Sequence, residues 1–126
     1  MSGTKKEKLE SILKSLKKVG GIESSLIASR DGLVIASDLP KGVYEDSFAA
    51  MSAAMQGAAE TAVSEMKKGE LNEIIVDSAH GKIITISAGK PAILVIMTKP
   101  KINLGLILME IRKARSKILS IFGEDS

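Results

Sequence analysis

The stretch AILVIMT, residues 92–98, is apolar at six of its seven positions. The longest unbroken apolar run, 91–97, has the length of a strand and falls far short of the ~20 residues a bilayer-spanning helix needs. A strand with no polar face has to be covered on both sides. This run therefore predicts a central strand in a sheet that carries helices on both faces.

The remaining elements arrange themselves around it. Residues 5–18 place Leu9, Ile12, Leu13 and Leu16 at helical spacing among lysines and glutamates, and Gly20 and Gly21 stop that helix. Residues 25–38, SLIASRDGLVIASD, read as a hairpin whose two-residue turn is Asp31-Gly32. Such a turn sets Arg30 opposite Leu33, Ala28 opposite Ile35 and Leu26 opposite Ser37. It puts Leu26, Ala28, Leu33 and Ile35 on one face and Ile27, Val34 and Ala36 on the other. Both faces are mainly apolar, which again asks for helices on both sides.

Residues 43–68 form the longest element, a helix capped by Asp46 or Ser47. Phe48, Met51, Met55, Ala58, Ala62 and Met66 mark the expected sheet-facing side. Beside them runs a stripe of small residues, Ala50, Ala54, Gly57, Thr61 and Ser64. A glycine in mid-helix costs ~1 kcal/mol relative to alanine, so Gly57 calls for the close approach of another backbone. The third side carries Gln56, Glu60 and Lys67 and is expected to face water or a partner. Three strands follow, at 72–78, 82–88 and 92–98. Glu73 and Asp77 mark the first as an edge, protected by charge or paired with another chain. The last helix starts at the N-cap Asn103, buries Leu104, Ile107, Leu108, Ile111, Ile118 and Phe122, and ends at Gly123. The order αββαβββα predicts one α+β domain over 1–126, with a five-stranded, mostly antiparallel sheet.

Candidates for chemistry are few. There is no cysteine, which excludes disulfides, thiolate metal sites and cysteine nucleophiles and fits a cytoplasmic setting. The N-terminus has no apolar segment of a secretory signal. Gly89-Lys90 is followed by Pro91 and Gly81-Lys82 by Ile83, so neither makes a phosphate-binding loop. The single histidine, His80, falls in a turn between strands. The aspartates and glutamates form no pair suited to acid–base work. These residues imply no enzyme, no cofactor and no metal. The net charge of +3, with 18 basic and 15 acidic residues, lacks the dense basic patch and interleaved aromatics of a nucleic-acid binder.

GIESSLIASRDGLVIASDLP, then AAMSAAMQGAAETAVSEMKKGELNEIIVD, then KINLGLILMEIRKA resemble, in order, the roadblock/dynein light-chain family. The resemblance implies a profilin-like sandwich that homodimerises. The long helix would pack on its partner's equivalent through Ala50, Ala54, Gly57, Thr61 and Ser64. The edge strand would pair across the two-fold axis near Glu73, Ile75 and Asp77. Family members bind Ras-like small GTPases as scaffolds or regulators, so the resemblance implies a non-catalytic adaptor with Gln56, Glu60 and Lys67 as GTPase contacts. The missing basic patch and the missing bilayer-length apolar run lead to an expectation of no nucleic acid and no membrane insertion. Two alternatives stay open: a structural subunit of a motor- or filament-associated assembly, and a small-molecule sensor with a pocket between sheet and helix.

Overall fold

The computed structural model describes residues 3–40 and 44–123. Along it run α1 (Lys5–Lys17), β1 (Ile22–Ser29), β2 (Val34–Asp38), α2 (Glu45–Glu65), β3 (Ile74–Ser78), β4 (Gly81–Ser87), β5 (Ala92–Thr98) and α3 (Leu104–Gly123). The strands form one sheet in the order β2-β1-β5-β4-β3, with every neighbouring pair antiparallel. The apolar run is its middle strand, and Ala92 through Ile96 are buried.

Alternate residues of the inner strands feed two separate cores. Ile27, Ile84, Ile86, Leu94 and Ile96 point to the side covered by α1 and α3, where Leu9, Leu13, Ile107, Ile111 and Ile118 meet them. Leu26, Ala28, Ile93 and Val95 point the other way, against Phe48 and Ala49 of α2. This is the period-2 geometry of a strand with both faces apolar.

Local chemistry fixes the helix starts. Thr4 and Glu7 form a capping box: the Glu7 N–H donates to Thr4 Oγ1 at 3.1 Å and the Thr4 N–H donates to Glu7 Oε1 at 3.0 Å. Asn103 caps α3, its Oδ1 accepting from the Leu106 N–H at 3.1 Å. The start of α2 is different. Val43 lies outside the described residues, Tyr44 is the N-cap, and no side chain caps the helix. Asp46 and Ser47 are therefore first-turn residues rather than caps. There the Asp46 carboxylate, like that of Glu45, favours the positive end of the helix dipole.

The hairpin also departs from expectation. Its loop has three residues, Arg30, Asp31 and Gly32, closed by the Ser29 N–H to Leu33 carbonyl bond and the Gly32 N–H to Ser29 carbonyl bond. Only Gly32 has a positive φ, +87°, so this is a turn followed by a left-handed glycine, not a two-residue turn. A bulge follows. Leu26 still faces Ser37, but Ala28 faces Val34, and Ile35 is the extra residue. Val34 thereby packs on the α2 side, Ile35 packs on the opposite core, and Leu33 is left exposed.

Candidate interaction surface

The buried face of α2 is not the one its methionines mark. Phe48, Ala49, Ser52 and Gln56 are buried, whereas Met51 and Met66 are 60% and 69% exposed. Ala58 and Ala62 are exposed as well, and Met55 is half-buried. Of the expected inward stripe, only Phe48 is fully covered.

A polar network sets this rotation. Thr85 Oγ1 on β4 donates to Gln56 Oε1 at 2.9 Å, and Gln56 Nε2 donates to Glu60 Oε2 at 3.1 Å. Arg30, from the hairpin loop, donates through Nη1 to Glu60 Oε1 at 2.6 Å. Its Nη2 donates to Ser87 Oγ at 2.7 Å and to the Gly89 carbonyl at 3.0 Å. A buried amide or carboxylate without partners would cost several kcal/mol, and here partners are supplied by β4, the hairpin loop and the β4–β5 turn. Gln56 and Glu60, expected to face outward as partner contacts, are thus committed to their own fold. Gln56 is 1% exposed and Glu60 is half-buried. Lys67, in contrast, is exposed, just beyond the helix and at φ 55°.

Turning Gln56 and Glu60 inward turns the small residues outward. Ala50, Ala54, Gly57, Thr61 and Ser64 are all exposed. Nothing lies within 4 Å of where a Cβ on Gly57 would stand. The N-terminal end of the stripe has a close neighbour in its own chain: a Cβ on Gly32 would come within 2.9 Å of the Ala50 Cα.

The edge strand is β3, bonded to β4 alone. Ile75 is exposed on it, and Asp77 is exposed while pairing with Lys82 at 2.7 Å. Glu73 is different. It precedes the strand, its side chain is only 14% exposed, and it accepts a hydrogen bond from Arg112 of α3 at 3.0 Å. It is turned toward α3 instead of standing at the open edge.

Between α2 and the sheet lie the apolar cluster and the polar network, and a cavity of about 500 Å³ lined by Arg30, Glu60, Ser87 and Gly89 opens beside that network. Among the described residues, no group of three or more His, Asp or Glu could hold a metal ion, and no helix is long and apolar enough to cross a membrane. Arg30, Thr85 and Ser87 were not anticipated as partners of α2. The available signal was a threonine inside the apolar strand KIITIS together with a glutamine and a glutamate four residues apart on an alanine-rich helix.

The family model of the Roadblock/LC7 domain matches residues 8–98. The chain belongs to the Roadblock/LC7 family. It is 40% identical over 114 residues to the uncharacterized protein MJ0310 of Methanocaldococcus jannaschii, covering 90% of this chain and 99% of the relative. Among solved structures, Myxococcus xanthus MglB has the same fold, with a TM-score of 0.89 at 19% identity over 98% of this chain and 94% of that one. A structure described as MglB with tetrameric arrangement gives a TM-score of 0.87 at 20% identity, covering 98% of this chain and 94% of that one. In this Roadblock/LC7 chain, α2 turns its small residues outward, and β3, like β2 at the other end of the sheet, is an edge strand.

Proposed function

We propose that this chain is a non-catalytic homodimeric adaptor that docks a Ras-like small GTPase on a surface built from two α2 helices. One observation carries the reading: α2 hides its glutamine and a glutamate and displays alanines, a glycine and methionines. Apolar surface left in water forgoes ~25 cal/mol per Å² that contact would recover. The edge of β3 likewise leaves backbone donors and acceptors open to another strand. A two-fold axis that pairs β3 with β3 and brings α2 to α2 satisfies both with one isologous interface. The tetrameric arrangement in the description of one MglB structure is consistent with self-association on this fold.

The GTPase partner rests on the family resemblance. Of the contacts expected on α2, Lys67 remains, and the exposed Met51 and Met66 join it, their flexible side chains suiting a protein interface. Any stimulation of GTP hydrolysis would come from repositioning the GTPase's own groups. The helix α2 contains no arginine, and Arg30 is held by Glu60, Ser87 and Gly89.

Light scattering at micromolar concentration tests the dimer, and Gly57→Leu should lower the measured mass by holding the helices apart. Pull-down and GTP-turnover assays with small GTPases of the same organism test the partner. A strict monomer removes the whole reading. A dimer that binds no GTPase in either nucleotide state removes its second half. Stoichiometric binding indifferent to nucleotide would instead fit a structural subunit.

A further inference from the structure

The two helical layers carry opposite charge. Together α1, its C-cap Lys18 and α3 hold ten basic residues against Glu7, Glu10 and Glu110. Helix α2 holds Glu45, Asp46, Glu60 and Glu65 and no basic residue at all. Pairing of Lys17 with Asp38 and of Arg112 with Glu73 still leaves α1 and α3 with an excess of basic side chains, opposite in sign to α2.

The basic layer also has a shape. Two adjoining cavities of about 460 and 500 Å³ make a cleft between α1 and α3, and Lys117, Ser11 and Ile12 line both. Lys113 lines the first beside Glu110, with which it pairs at 3.7 Å, and Lys8 lines the second beside Glu7. Lys14 and Lys18 stand exposed on α1 and at its end. Leu106 and Met109, 43% and 47% exposed, add apolar side chains on α3.

We propose that the α1/α3 layer docks on a bilayer surface containing anionic lipids, with its lysines meeting lipid phosphates and α2 facing away. A negative surface potential attracts one layer and repels the other, so the same charge distribution supplies both attraction and orientation. Lysines on long apolar stems reach headgroups without burial, and Leu106 and Met109 can rest at the headgroup boundary. A nucleic acid is the poorer fit, because stacking needs exposed aromatics and this layer's one aromatic residue, Phe122, is half-buried. The proposal stands on the charge layout of a single chain and is independent of the dimer and its GTPase.

Vesicle co-sedimentation of the full chain tests it. Vesicles of phosphatidylcholine with one-third phosphatidylglycerol should bind at least tenfold more protein than phosphatidylcholine alone, and added salt should release it. Each lysine removed from the layer should weaken binding about fivefold. A Lys14→Glu/Lys113→Glu/Lys117→Glu variant should therefore lose nearly all binding while its circular dichroism is unchanged. A Lys67→Glu/Lys68→Glu/Lys90→Glu variant has the same net charge but leaves the layer intact, and it should bind almost as the parent does. Absence of binding to the anionic vesicles overturns the proposal. Equal loss in the two variants overturns it as well, since only net charge would then matter. Tighter binding to a DNA duplex than to vesicles at the same salt concentration would assign the layer to nucleic acid instead.

Discussion

Gln56 does more than any other residue to decide what α2 offers to the outside. Its amide joins Thr85 on β4 to Glu60, which in turn holds Arg30. Replacing it with leucine preserves the bulk but leaves the buried Thr85 hydroxyl without its acceptor. The expected cost is ~1–3 kcal/mol, read by denaturant unfolding. Adding Thr85→Val removes the stranded hydroxyl, so the double variant should recover part of that loss. Strictly additive losses would mean that the two side chains are not coupled. A second residue-scale device lies at the start of α1. Bonds from Thr4, its backbone N–H first and its hydroxyl second, hold the Glu7 carboxyl below its ordinary pKa. A folded pKa below the unfolded one makes a contribution that is whole above the unfolded value and is lost as pH falls through the folded value. Acidification should thus loosen the first turn of α1. In an NMR titration, Thr4→Ala should move the Glu7 pKa only part of the way back up, because the backbone N–H of residue 4 remains; an unmoved value would assign the whole shift to that N–H.

Two glycines show how differently one residue type acts within its element. Gly57 sits in helical backbone with open space around it, whereas Gly32 combines φ +87° with a close approach to the Ala50 backbone. Gly57→Ala should stabilise the isolated fold by ~1 kcal/mol through helix propensity. Gly32→Ala should destabilise it by ~1 kcal/mol or more, since left-handed strain and a backbone contact act together. Thermal unfolding of the two variants should therefore shift in opposite directions. Elements with strong amphipathic patterns were legible from the sequence: Leu9, Leu13 and Leu16 fixed the face of α1, and the apolar run fixed β5 as the central strand. The phase of α2 was not legible, because alanine, serine and glycine make its hydropathy nearly flat around the axis. Its rotation is decided by Thr85 and Arg30, far away in sequence, which give polar residues a reason to face inward. The bulge at Ile35 escaped for a related reason: Leu33, Val34, Ile35 and Ala36 are all apolar, so a slip of one position among them carries no signature. The small-residue stripe, by contrast, was legible as a set of positions, and the structure leaves all five exposed.

At the scale of the whole molecule, α1 and α3 together cover one face of the sheet, whereas α2 alone covers the other and leaves an outward helix face of small residues beside a short open strand. If a second copy completes it, folding and association become one equilibrium, and stability then depends on protein concentration. A tenfold rise in concentration contributes ~1.4 kcal/mol per dimer. For a dimer of this size, that corresponds to a Tm increase of about 3 °C. The parent should show this rise over a dilution series. Gly57→Leu should abolish it, with the Tm of the variant flat at the parent's dilute limit or below. A parent whose Tm is independent of concentration, and whose mass is that of one chain, would mean that the α2 face is covered by something other than itself. Salt separates this interface from the basic layer: a helix contact built from alanine, glycine, threonine and serine, none of them charged, should persist at ionic strengths that screen lysines from a charged surface. The concentration dependence of Tm should therefore survive added salt, even as vesicle binding by the opposite layer disappears.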